Sequence, residues 1–184
     1  MRLFVGIPLP SSLIDELTKI TTRLRAKEDN LRWSAPESWH ITLQFLGTTT
    51  PQQYVCLIER LSELHAPPIP VYLDTLGFFD RAGIFFAGVE PSPALLAHQQ
   101  RITAATTPCG FTPEARPYHP HITLARTKSK EGIPGLRNLK TRIPQNPKLP
   151  PFTAEAFVLY ESFTGPTGSR YEINERFPLT RSHS

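Results

Sequence analysis

His40-Ile41-Thr42-Leu43, within Pro36-Glu37-Ser38-Trp39-His40-Ile41-Thr42-Leu43-Gln44-Phe45-Leu46-Gly47, recurs as His121-Ile122-Thr123-Leu124 at an offset of 81 residues. The same gapless offset lays Phe4 on Phe85, Pro10 on Pro91, Ser11 on Ser92, Thr22 on Thr103 and Pro36 on Pro117. Scattered matches arise by chance. An identical tetrapeptide in the same register points instead to an internal duplication, which is sought first because it governs the reading of the fold.

Each half carries a similar run of elements. A short apolar, β-rich strand opens it, at Leu3 to Ile7 and at Ile84 to Val89. A Pro-Ser pair then leads into a helix with apolar residues three and four apart. These are Leu13, Leu17, Ile20 and Leu24 in the first half, and Leu95, Leu96 and Ile102 in the second. The His-Ile-Thr-Leu strand follows in both. A further helix is expected on Val55, Ile58, Leu61 and Leu64, then a strand from Val71 to Phe79. Its counterpart is Phe152 to Tyr160, and a last strand runs from about Arg170 to Phe177. This mixture predicts an α+β fold, one bilobal domain over residues 1–184 with repeats at approximately 1–81 and 82–178. Two antiparallel sheets are expected about a pseudo-two-fold axis, with helices on the outer faces and a central cleft. Thr127 to Pro151, rich in glycine and proline, reads as largely loop.

On a strand, residues two apart share a face. His40 and Thr42 therefore point one way while Ile41 and Leu43 enter the core, and His121 and Thr123 repeat the arrangement. A two-fold axis would set two imidazoles and two hydroxyls across one cleft. That set suits metal-free cleavage of a phosphodiester, which needs a base on the attacking oxygen and an acid on the departing one. Histidines titrating near neutrality supply both roles, each worth ~10²–10⁴-fold. Threonine hydroxyls can donate to the non-bridging oxygens as charge builds. A lone His-x-Thr is usually an ordinary strand segment; two in register within a duplication are not.

Composition narrows the alternatives. With 39% hydrophobic and 20% charged residues the chain is globular, not disordered. A chain of this length needs no disulfide or metal to fold. The only cysteines, Cys56 and Cys109, argue against a disulfide scaffold or a Cys-rich zinc module and fit a reducing cytosol, so a cytoplasmic protein is expected. Leu3 to Ile7 is too short for a signal-peptide core, and no run approaches the ~18 apolar residues of a membrane span. The net charge of +4 favours an anionic partner. It is concentrated in Lys128, Lys130, Arg137, Lys140, Arg142 and Lys148, opposed in that segment by Glu131 alone. This segment is either a solvated loop or a flap beside a polyanionic substrate.

The sequence resembles the LigT-like 2H phosphoesterase family, and within it the RNA 2′,3′-cyclic phosphodiesterases, also called 2′-5′ RNA ligases. The likeness rests on Arg2 to Pro10, Trp33, Pro36-Glu37, His40 to Gly47, Arg116-Pro117, Pro120 to Arg126, Glu161-Ser162 and Gly168 to Glu172, nearly end to end. It implies hydrolysis of a terminal 2′,3′-cyclic phosphate to a 2′-phosphomonoester with no metal or other cofactor. By carry-over His40 is the proton donor to the departing 3′ oxygen and His121 the proton acceptor that activates water, with Thr42 and Thr123 beside them. Spacing alone leaves those two roles interchangeable. The implied partners are RNA ends or nucleotides bearing a 2′,3′-cyclic phosphate, with no membrane, and a monomer suffices. Some members of the family also join or cleave 2′,5′ linkages.

Further residues are candidates for substrate binding. Arg126 lies five positions after His121, so strict alternation turns it away unless the strand bulges near Ala125. Phe45 has the same parity problem relative to His40. Trp33 and Tyr171 are candidates to stack on a base, against the commoner reading of packed aromatics. His119 shares parity with His121, so a three-histidine zinc site with His40 is an alternative. His65, His98 and His183 read as surface or helix residues. Competing functions are a cyclic phosphodiesterase acting on a small nucleotide or a 2′,5′-oligonucleotide, and a non-catalytic RNA-end-binding module.

Overall fold

Among the residues described by the computed structural model, 1–129 and 133–181, four helices pack with two four-stranded antiparallel sheets and a two-stranded ladder. Lys130, Glu131 and Gly132 of the basic segment, and His183, lie outside the described residues. The strands are β1 (Arg2–Pro8), β2 (Leu31–Trp33), β3 (His40–Thr48), β4 (Ile69–Val71), β5 (Leu73–Phe79), β6 (Ile84–Val89), β7 (His121–Thr127), β8 (Phe152–Ala154), β9 (Ala156–Gly165) and β10 (Gly168–Pro178). The helices are α1 (Ser11–Leu24), α2 (Pro51–Ser62), α3 (Pro93–Thr106) and α4 (Ile133–Lys140). The expected α+β class with two main antiparallel sheets is what the chain adopts.

The first sheet runs β10-β9-β1-β3 and the second β2-β7-β6-β5, with β4-β8 as the ladder. A three-strand unit is common to both: β9-β1-β3 in one, β5-β6-β7 in the other. Its outer strand comes each time from the opposite half of the sequence. The two halves therefore exchange strands, and β2 of the first half also joins the second sheet.

Both units carry the same irregularity. Val5 faces Gln44 and Gly6 faces Thr42, skipping Leu43. Phe85 faces Ala125 and Phe86 faces Thr123, skipping Leu124. A β-bulge thus follows each His-x-Thr at the equivalent leucine. These pairings make Val5, not Phe4, the counterpart of Phe85. The sequence match of Phe4 to Phe85 is one residue out of register and joins residues on opposite faces: Phe4 packs on His40, whereas Phe85 lies in the core against Trp33 and Phe78.

Leu3, Val5, Ile7, Ile41 and Leu43 are buried together with Leu13 and Leu17 of α1 and Leu95 and Ile102 of α3. Burying each such side chain contributes about 1.5–3 kcal/mol. Other expectations are corrected. In α2 the buried pair is Leu57 and Leu61, while Val55 is 57% exposed and Leu64 lies beyond the helix end. Both stripes satisfy helical spacing, so spacing did not choose between them. The expected strand Val71 to Phe79 breaks at Tyr72 into β4 and β5, and Phe152 to Tyr160 breaks at Glu155 into β8 and β9.

The segment read as largely loop contains α4. Leu136 and Leu139 are buried, and Gly135 sits so close to the turn at Asp29 that a Cβ would lie 1.8 Å from the Asp29 carbonyl oxygen. Two of its cations are structural: Arg142 pairs with the buried Asp29 and donates to the Leu24 carbonyl, and Lys140 pairs with Asp80 over the Phe78 ring. Finally, Cys56 of α2 is bonded to Cys109, in the turn after α3. The two cysteines, read from sequence as fitting a reducing cytosol, are thus bridged, because α2 packs along α3 and brings together residues 53 apart in sequence. No helix among the described residues is long and apolar enough to cross a membrane.

Candidate active site

β3 and β7 run against each other where the two sheets meet. His40 and Thr42 begin β3, His121 and Thr123 begin β7, and all four are half-buried while Ile41, Leu43, Ile122 and Leu124 are buried. Alternation has put the apolar members in the core and the polar ones on the open face. Each imidazole is anchored alike. Nδ1–H of His40 donates to the Ser38 carbonyl at 2.8 Å, and Nδ1–H of His121 donates to the His119 carbonyl at 2.7 Å. A carbonyl only accepts, so Nδ1 carries the proton and Nε2 of each neutral ring is left with its lone pair facing the cleft. At His40 that nitrogen lies 2.9 Å from Thr42 Oγ1. Nε2 of His121 has no such partner among the described residues.

Burial pushes the His40 pKa down to about 4; the Ser38 carbonyl opposes this, and His121 and the Arg126 guanidinium add to it. The pKa of His121 is also lowered, first by burial and then by His119 and Arg126, with the His119 carbonyl opposing. Each histidine thus feels Arg126, and His40 feels His121. The cleft therefore disfavours positive charge on either imidazole and would welcome an anion.

The bulges decide what else reaches this cleft. Beyond Leu43 and Leu124 two successive residues are buried, Leu43-Gln44 and Leu124-Ala125, after which Phe45 and Arg126 emerge on the histidine face. Phe45 is 59% exposed. These two occupy equivalent positions, so the pseudo-symmetric site has an aromatic wall on the His40 side and a cationic one on the His121 side. Tyr171 joins the aromatic wall, its ring centroid 5.2 Å from that of His40. Trp33 is not brought to the cleft. It pairs with Ala125 and packs edge-on against Phe85, with Arg25 over its ring. His119 sets its ring against Phe79 and Phe86, and no group of three His, Cys, Asp or Glu side chains able to hold a metal occurs among the described residues.

Four neighbours were not singled out from sequence. Phe4 and Tyr160 stack on each other at 4.8 Å and close over His40, at 4.7 and 5.4 Å. Gly6 admits this packing, because a Cβ there would lie 2.9 Å from the Ile41 carbonyl and 3.1 Å from the Tyr160 ring. Tyr118, just ahead of β7, donates its hydroxyl to the Thr42 carbonyl at 2.7 Å and so ties one motif to the other. Arg32 pairs across from Arg126, and directly opposed residues share a face, which doubles the cationic wall. An arginine alternating with Leu31 and Trp33 was the available signal for Arg32.

A family model described as the 2′-5′ RNA ligase superfamily matches residues 9–164. An RNA 2′,3′-cyclic phosphodiesterase of Geobacillus stearothermophilus is 29% identical over 96% of this chain, which spans 56% of that relative's length. One of Methanocaldococcus jannaschii is 28% identical over 94% of this chain and 98% of its own. The crystal structure of Escherichia coli LigT complexed with 3′-AMP superposes with a TM-score of 0.84 at 25% identity, covering 98% of each chain.

Proposed function

The chain belongs to the 2′-5′ RNA ligase superfamily, and from that premise we propose that it hydrolyses RNA terminal 2′,3′-cyclic phosphates to 2′-phosphomonoesters. The observation that carries this is the matched tethering of His40 and His121, which leaves both Nε2 atoms available for proton transfer in one cleft. Water gives a proton to His121 as its oxygen attacks phosphorus. His40 gives a proton to the 3′ oxygen as the bond from phosphorus to that oxygen breaks. One water is consumed and the phosphate stays on the 2′ oxygen. Thr42, Thr123 and Arg126 face the non-bridging oxygens, and Phe45 and Tyr171 take the base.

The donor role of His40 is carried over from the family, and burial disfavours the proton that the role requires it to hold. The anionic substrate supplies the charge that lets it be held at all. A bound nucleoside monophosphate in the related LigT structure favours a nucleotide end as ligand. We place the enzyme in the cytoplasm as a monomer; a 5′-hydroxyl attacking in place of water would join two ends by a 2′,5′ linkage. The Cys56–Cys109 bond would there face a reducing thiol pool.

The test is hydrolysis of a short RNA ending in a 2′,3′-cyclic phosphate, in excess EDTA, by wild type, His40→Ala and His121→Ala. We expect a 2′-phosphate by phosphorus NMR, and loss of ~10²–10⁴-fold in each variant. Full activity in both variants, or activity abolished by EDTA, overturns the mechanism. A substrate with sulfur as the 3′ bridging atom needs little protonation of its leaving group, so it should restore His40→Ala and not His121→Ala.

A further inference from the structure

The open face of the first sheet is graded along its strands. From His40 and Thr42 it passes through the Phe4, Tyr160 and Tyr171 rings and ends in a cavity of about 400 Å³. Phe45 and Tyr171 line this cavity together with Arg2, Ser162, Thr164 and Ser169. Register puts these side chains on one face: Tyr171 opposes Ser162, and Ser169 opposes Thr164. Arg2 is two residues from Phe4 on β1, about 7 Å further from the histidines.

The charge here is one-sided. Arg2 is exposed and has no ion pair among the described residues. The acidic residues of the adjoining strands, Glu161 and Glu172, alternate with Ser162 and Tyr171 and so point to the opposite face. There Glu172 pairs with Arg170, and Glu161 accepts from Asn174. A cation among three hydroxyls, with no carboxylate among the described residues that line the cavity, is suited to an oxyanion. In a nucleotide whose cyclic phosphate sits at the histidines and whose base lies on the aromatic wall, the 5′ carbon is on the far side of the ribose.

We propose that Arg2, Ser162, Thr164 and Ser169 form a subsite for the phosphate on the 5′ oxygen of the terminal nucleotide, so that the chain selects 5′-phosphorylated or oligonucleotide ends over simple nucleoside 2′,3′-cyclic phosphates. This rests on the cyclic-phosphate reading of the cleft. The experiment compares adenosine 2′,3′-cyclic phosphate, its 5′-phosphorylated form and the dinucleotide ApA 2′,3′-cyclic phosphate, with wild type, Arg2→Gln, and Ser162→Ala combined with Ser169→Ala. For wild type kcat/KM rises at least tenfold when the 5′-phosphate is added, chiefly through KM. Arg2→Gln removes the rise and leaves hydrolysis of the simple nucleoside unchanged. The serine variant keeps the charge and loses part of the rise.

No gain from the 5′-phosphate, an undiminished gain in Arg2→Gln, or an Arg2 effect that follows base identity and not the phosphate overturns the subsite. Calorimetric binding of adenosine 2′-phosphate against adenosine 2′,5′-bisphosphate gives the same contrast without turnover. Failure of every cyclic phosphate to react therefore tells against the reaction, while the binding contrast still decides the subsite.

Discussion

Two histidines whose protonated forms are disfavoured by burial imply a particular pH behaviour. Both pKa values lie below 6.5, so the free-enzyme profile, kcat/KM, peaks below that value. Bound phosphate stabilises the imidazolium, raises both values and displaces the kcat profile to higher pH. Coincident profiles would sink this account. A different histidine governs acid stability. His98 of α3 is buried beside Phe157 at 4.8 Å, neither ring nitrogen has a partner among the described residues, and burial lowers its pKa to about 4. The unfolded chain takes up this proton below about 6.5 and the native chain resists it until about 4. Stability is thus full above pH 6.5 and declines as pH falls towards 4, by about 3 kcal/mol in all. His98→Leu should lose about 2 kcal/mol less than wild type between pH 7 and 4.5 in urea titrations; equal losses would refute it. His98 lies on a helix, one of the two places expected for it, but on the buried face and not at the surface; the offset of 81 places it on Leu17, which is fully buried. The signal was in the repeat and not in the residue type.

At the scale of elements, the two bulges matter most. Alternation alone would turn Phe45 and Arg126 away from the histidines; one extra residue in each strand brings them back. A bulge depends on how a strand meets its partner, so the tetrapeptide reveals the face of His40 and Thr42 but not that of the residue three beyond. Arg126→Ala is expected to lower kcat/KM on a cyclic phosphate by roughly 10–10²-fold, the value of one or two charge-assisted hydrogen bonds, with the fold unchanged by circular dichroism. An effect below twofold would remove Arg126 from the site. Hidden likewise was α4, whose Pro134 and Gly135 mimic a loop until tertiary contact is considered. Its Gly135 is a point of backbone approach, so Gly135→Ala should cost about 2 kcal/mol or more in denaturant unfolding by pushing α4 off the Asp29 turn. An unaltered midpoint would show that α4 docks differently.

The molecule as a whole is held by sheet pairing between halves and by the covalent link from α2 to the turn after α3. Reducing that link, or replacing Cys109 by serine, should lower stability by roughly 2–4 kcal/mol and the melting temperature by roughly 5–10 °C. No change in a thermal melt with and without a phosphine reductant would show that the bond carries none of the stability. The class of fold was legible because the duplication repeats strand, helix and motif. The connection of the sheets was not, because nothing in a strand's own residues says which half it will join. That exchange bears on descent. A half-length precursor could not have completed either sheet alone, so it could have held a two-histidine cleft only as a pair of identical chains lending each other a strand. Gene fusion would then have freed the two copies to diverge, and the open-face position just past each motif shows it, holding Phe45 on one side and Arg126 on the other.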